Sequence, residues 1–487
     1  MGRDARRVVI SGWAMAFACL LAAVGTPGAG AQEPAARPVE LPPLPDELPP
    51  LPVELPPLPD APVATGDRAA FDDLFDPGYD AGQESPAGST TPPPVPDPYA
   101  NGPRISRFLL GDAFGLHPTE LTPGVSVFVS NTQFGQGVAS GGFDRQGRWG
   151  SKFDMLAHVD SAGLGLWRGG AIDLFAESRL GQSVEPLVRS YSPSNLAMHF
   201  PVPNAQLTAI TGLKFTQALG DNAGVFLGKL NALNGDREKF LNYPLTSRFW
   251  NAAFNFNLAL DRYPYSAPGA GFYYAMGLGP VLSVMVLDSH SSPRTSGFEN
   301  LGSNGVFVYA EAKVPTRLFG LPGRQVLGAL YGNGKFADLD PTSFLDLPAG
   351  VASPRQTGTW TLLWHAEQRL YVDPDNPARG LGIYRQIGLS DGNPNPIRWF
   401  FSVALVGNSP LLNRPGDTWG VGYYQIQLGS AAKSLAPGLR NEPGFEFFYN
   451  ARIRPGVHLT PDLQWVRPGL GPYPSALVLG LRLKVDF

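Results

Sequence analysis

From about residue 101 onward the chain is built of short segments in which apolar and polar positions alternate, separated by Gly, Pro, Asn and Asp. In residues 171–180, Ile172, Leu174 and Ala176 oppose Asp173, Glu177 and Arg179. In residues 360–372, Trp360, Leu362, Trp364, Ala366 and Leu370 oppose Thr361, His365, Glu367, Arg369 and Tyr371. Residues 445–453 set Phe445, Phe447, Tyr449, Ala451 and Ile453 against Glu446, Asn450 and Arg452. Residues 252–260 read the same way, with Ala252, Phe254, Phe256, Leu258 and Leu260 on one face and Asn255 and Asn257 on the other. Successive side chains of a strand point to opposite faces, so each segment predicts one apolar and one polar face.

Such segments recur roughly 16 or 17 times between Val125 and the C-terminus, several of them near the roughly 9–11 residues that cross a bilayer at a tilt. A soluble sandwich also alternates, but its apolar face meets a second sheet. Aromatics gather at segment ends (Phe249-Trp250, Tyr263, Tyr265, Phe272-Tyr-Tyr274, Trp399-Phe-Phe401, Trp419, Tyr423-Tyr424), where interfacial girdles are expected. In residues 476–487 the alternation is unbroken, Leu477, Leu479, Leu481, Leu483, Val485 and Phe487 facing one way. The pattern predicts an all-β fold, a transmembrane antiparallel β-barrel over residues 101–487.

The N-terminal region is of another kind. A basic start, Met1-Gly-Arg-Asp-Ala-Arg-Arg7, precedes an apolar run over residues 8–24 and then Ala29-Gly30-Ala31. That is the pattern of a signal peptide over residues 1–31; the alternative is a membrane anchor, for which the run is short and lacks a basic flank. The one cysteine, Cys19, lies inside the run, where lipid attachment is the rival to simple removal with the signal. Residues 32–100 are proline-rich. Leu41-Pro-Pro-Leu-Pro-Asp-Glu47 recurs as Leu48-Pro-Pro-Leu-Pro-Val-Glu54 and Leu55-Pro-Pro-Leu-Pro-Asp60. Proline at this density predicts disordered or polyproline II chain, a spacer or an arm to the cell wall.

Net charge is −4 over 487 residues, which supplies no basic field for nucleic acid. Without further cysteine there is no thiolate chemistry, and the six histidines have no ligand spacing. Asp373-Pro-Asp375-Asn376 lacks the glycine and distal glutamate of a calcium loop. Gly332-Asn-Gly-Lys335 lacks the phosphate-loop spacing, and no Gly-x-Ser-x-Gly elbow is present. The 58 glycines fit hairpin turns, as at Asn234-Gly235, and bends of a curved sheet.

Glu367-Gln-Arg-Leu-Tyr-Val-Asp-Pro-Asp-Asn-Pro-Ala-Arg-Gly-Leu-Gly-Ile-Tyr384, followed by Gly388-Leu-Ser-Asp-Gly-Asn-Pro-Asn395, resembles the carbohydrate-selective porins of the OprB type. Gly163-Leu-Gly-Leu-Trp-Arg-Gly-Gly170, Arg414-Pro-Gly-Asp-Thr-Trp-Gly-Val-Gly-Tyr423 and residues 446–487 are similar to further parts of that family. The resemblance covers the chain from about residue 123 but not the proline-rich arm, and it is loose over residues 289–354. It implies an outer-membrane barrel of about 16 strands that carries mono- or disaccharides by facilitated diffusion, with no cofactor. Implied partners are sugars in transit, outer-membrane lipid and lipopolysaccharide, and the barrel-assembly machinery at Phe487, in a monomer or homotrimer.

Within a barrel wide enough for water, selectivity comes from inward side chains and folded-in loops. Parity directs Asp173, Glu177, Arg179, Lys214, Glu311, Lys313, His365, Glu367 and Arg369 inward. Arg179, Glu367 and Arg369 are the candidates for a constriction; the alternative is that these charges only brace the wall by ion pairs, each contributing about 0–1 kcal/mol. A barrel enzyme needs a nucleophile beside a histidine, and no such constellation is seen. An anchor that works through its arm remains a third reading.

Overall fold

The computed structural model describes residues 124–202, 206–233, 248–276, 281–344, 354–374, 379–408, 414 and 416–487. The expected signal peptide, the proline-rich segment, the Asn234-Gly235 turn and Asp375-Asn376 lie outside the described residues.

Among the described residues sixteen antiparallel strands close into one barrel, each pairing with its chain neighbour and β1 (Val125–Ser140) with β16 (Ala476–Asp486). Between them run β2 (Gly147–Asp160), β3 (Gly170–Gly181), β4 (Leu207–Ala218), β5 (Ala223–Asn231), β6 (Ser266–Ala275), β7 (Val281–Asp288), β8 (Val306–Leu318) and β9 (Leu321–Ala337). The wall continues with β10 (Arg355–Val372), β11 (Gly380–Ser390), β12 (Ile397–Asn408), β13 (Thr418–Leu428), β14 (Glu442–Arg454) and β15 (Val457–Val466).

The alternation that predicted the strands is the two-sidedness of this wall. Ile172, Leu180, Leu213, Leu227, Leu362, Leu479 and Leu481 are bare on the outside, while Glu177, Gln386, Glu446, Gln464 and Arg482 are buried inside. An apolar exterior around a polar interior is the arrangement of a barrel in lipid. One end of the barrel has short turns, such as 319–320 and 455–456, and the other has the long connections 182–206 and 232–265. Phe487 continues the closing strand, its N–H donating to Val129 O at 2.9 Å.

Two sequence expectations fail. Residues 252–260 are no strand: they form one turn of helix (Ala252–Asn255) and a 3-10 turn (Leu258–Leu260) inside the barrel. Of the two asparagines read as a polar strand face, Asn257 is a cap, its Oδ1 accepting from Ala259 N at 3.2 Å, and Asn255 donates its amide to the carbonyls of Phe249 and Asn251, both at 3.0 Å; Asn251 caps the helix, its Oδ1 accepting from Ala253 N at 3.0 Å. The segment is buried on every side, so its alternation has no face to report. For the same reason Phe249, Trp250, Tyr263 and Tyr265 belong to this inner loop and not to a girdle at the membrane surface. The second failure is Tyr371. A bulge in β10 pairs Arg369 with Gly382 but Tyr371 with Leu381, which reverses parity and turns Tyr371 outward.

Candidate functional site

Two connections fold into the lumen. The β3–β4 loop carries α1 (Glu185–Val188) and α2 (Leu196–His199), and the β5–β6 loop carries α3 (Ala252–Asn255). They are tied to each other by Leu196 N to Trp250 O (2.8 Å), Ala252 N to Pro193 O (2.9 Å) and Ser192 Oγ to Asn251 Oδ1 (2.5 Å). Together they lean on the far wall. Phe254 meets Tyr424 edge-on at 5.8 Å, Phe249 meets Phe448 at 4.8 Å, and Trp250 packs on Phe134 at 5.5 Å. The wall is hollowed to receive them: a Cβ on Gly388 would fall 2.3 Å from Asn257, and one on Gly480 2.7 Å from Trp250.

The predicted site residues fall into three groups. Asp173 lies between His158 Nδ1 (2.7 Å) and Lys214 Nζ (3.2 Å), toward the turn end. Across β5–β7, Glu311 holds Lys313 (3.2 Å) and accepts from Tyr309 OH (2.8 Å). Beside them Glu367 lies 3.7 Å from Arg324, and Arg369 donates to Arg379 O at 3.4 Å. The Lys214, Lys313, Arg324 and Glu367 side chains keep 18%, 16%, 28% and 14% of their surface open to solvent.

The third group is buried beneath the loops. Glu177 accepts from Thr211 Oγ1 (2.8 Å), Asn231 Nδ2 (3.1 Å) and Tyr265 OH (2.5 Å), and lies 3.4 Å from Lys152. Arg179 donates to the carbonyls of Met198, His199 (2.8 Å) and Val202. His365 faces the Asn257 amide at 3.1 Å. These three attach loops to wall, whereas the first two groups lie toward the turn end of the lumen. Sequence reading missed Arg324, whose inward parity follows from its pairing with Glu367, and Lys152, which bridges Asp154 (3.2 Å) and Glu177. It did not single out Glu442, which is buried on the inner face of β14, and left Glu446 as an unassigned inward charge. Among the described residues no group of three His, Cys, Asp or Glu side chains is placed to hold a metal ion.

Residues 119–487 match the carbohydrate-selective porin, OprB family. The chain belongs to that family. Porin B of Pseudomonas aeruginosa is 23% identical over 197 residues, covering 34% of this chain and 42% of that protein, so the aligned part is less than half of that relative. The barrel resembles the high-pH structure of Pseudomonas putida OprB with a TM-score of 0.69 at 20% identity, covering 79% of this chain and 99% of that one. The low-pH structure of the same protein gives 0.52 at 17% identity over the same shares. This member of the OprB family is a bacterial outer-membrane β-barrel, and its family and fold are those of a channel. In such barrels short turns face the periplasm and longer loops the exterior, so the two lumen loops enter from outside and the open charged groups lie on the periplasmic side.

Proposed function

We propose that this porin passes mono- and disaccharides by facilitated diffusion through the space the two loops leave open. The observation that carries the reading is the pair of charge groups below the loops, partly open to solvent at Lys214, Lys313, Arg324 and Glu367: Asp173 with Lys214, and Glu311, Lys313, Arg324, Glu367 and Arg369. Fixed donors and acceptors of both signs suit neutral polyols, since a hydroxyl both donates and accepts, while a ring of one sign selects ions. Arg179, Glu177 and His365 act one step away, by holding the loops. No chemical step is part of this reading. Residues 1–31 serve as the export signal, residues 32–100 as a periplasmic spacer, and Phe487 as the mark read by the assembly machinery.

The test is single-channel conductance of the refolded mature chain with glucose or maltose titrated in. Steady steps that sugar blocks saturably support a saccharide channel. Steps indifferent to sugar make it a general porin. A folded barrel without steps moves attention to the arm, whose deletion then abolishes partner binding.

A further inference from the structure

Two glutamates on the inner face of β14 do the same thing to different loops. Glu442 accepts the N–H groups of Tyr191 (2.5 Å) and Ser192 (2.9 Å) in the β3–β4 loop. Glu446, four residues and so two pleat repeats further along, accepts those of Trp250 (2.5 Å) and Asn251 (2.9 Å) in the β5–β6 loop. Glu442 also takes Gly469 N (2.7 Å) and Tyr424 OH (3.0 Å). Both carboxylates are buried, at 0% and 1% exposure.

Burying a carboxylate is costly unless its oxygens are fully hydrogen-bonded, and a wall position with no further duty is at least as stable with an apolar side chain. The barrel does not need these two groups to close, because β14 is joined to β13 and β15 through backbone pairs. What they hold is the pair of loops, each gripped by two consecutive N–H groups, and the Ser192–Asn251 contact ties the two grips together. Asn251 extends the tie to the next strand, donating to Gln464 Oε1 at 3.2 Å.

We propose that Glu442 and Glu446 are the positioning residues that set the bore of this channel, clamping both lumen loops to β14 as one body. The bore they fix determines the largest solute admitted, whatever that solute is, so the inference stands apart from the saccharide reading. Exchanging either one for glutamine sets an amide donor against one of the two backbone donors and leaves the loop held through a single acceptor.

The experiment compares Glu442→Gln and Glu446→Gln with the unaltered porin in planar bilayers and in liposome swelling with saccharides of increasing length. Conductance is expected to rise about twofold or more with larger fluctuations, since ohmic current follows the open cross-section. Longer oligosaccharides than the parent admits should enter, and Glu446→Asp, which keeps the carboxylate, should restore much of the parent cut-off. Unchanged conductance and cut-off in both folded variants would overturn the proposal. If neither variant folds, amide exchange in the unaltered porin decides. Protection of Tyr191, Ser192, Trp250 and Asn251 equal to that of strand amides upholds the clamp, and exchange at the rate of open loops refutes it.

Discussion

The ring of Phe254 sits over Gly422, where an added Cβ would lie 2.3 Å from a ring carbon. Gly422 is in mid-strand on β13, paired with Ala404 and Glu446, and needs no special backbone conformation. What the glycine supplies is depth. Gly422→Val keeps strand propensity but fills the hollow, and overpacking of this kind costs about 1–3 kcal/mol. The expected result is a folded barrel with the β5–β6 loop displaced, read as raised and noisier single-channel conductance with β-content unchanged by circular dichroism.

Arg179 grips the β3–β4 loop through several carbonyls at once, which suits a planar fork of donors and not a single ammonium. Arg179→Lys keeps the charge and loses the fork, at a cost of about 1–3 kcal/mol in loop attachment. Limited proteolysis should then cut within residues 182–206 faster than in the parent, with the rest of the barrel still resistant.

The open charge groups should govern solute affinity without governing bore. Glu367→Gln combined with Lys214→Met removes one charge from each group and is expected to weaken sugar block about tenfold, equivalent to roughly 1.4 kcal/mol. Ion current in the absence of sugar should change far less. Equal sugar block before and after the change would remove these residues from the solute path.

Acid should loosen the outer loops first. The Asn393 amide, donating to Asp338 at 2.7 Å, holds that carboxyl below the usual carboxylate range. A group with a folded pKa under its unfolded value of about 3.9 contributes fully above that value and loses its contribution as pH falls through the folded value. Asn393→Ala should raise the Asp338 titration midpoint toward 3.9, measured by carboxyl carbon NMR in micelles, and remove the contact of Asn393 with Asp338 and Leu339 at every pH.

The wall was legible in the sequence because membrane and water impose a period of two on strand after strand, and Asp173, Glu177, Lys214 and Glu367 all face as that period requires. It failed at Tyr371 because a bulge is a property of pairing, visible only once Arg369 and Tyr371 are matched to Gly382 and Leu381. It failed at residues 252–260 because a segment buried all round carries apolar residues at any spacing. There the readable signal was Asn251 and Asn257, each standing just ahead of a short apolar run as an N-cap does. The partners within the lumen were not legible, since Arg324 meets Glu367, and Glu446 meets Trp250, through register and loop path and not through spacing along one segment.

The β5–β6 loop leans on β11, β13, β14 and β16, strands that follow it by more than a hundred residues. During synthesis Phe249 and Phe254 therefore emerge long before Phe448 and Tyr424, the wall residues that meet them. Contacts of such sequence separation form late and leave apolar groups uncovered in the meantime. The narrowing of this channel is thus completed only as the C-terminal strands arrive and β16 meets β1. Until then Phe249 and Phe254 lack the strand surfaces that bury them in the finished barrel.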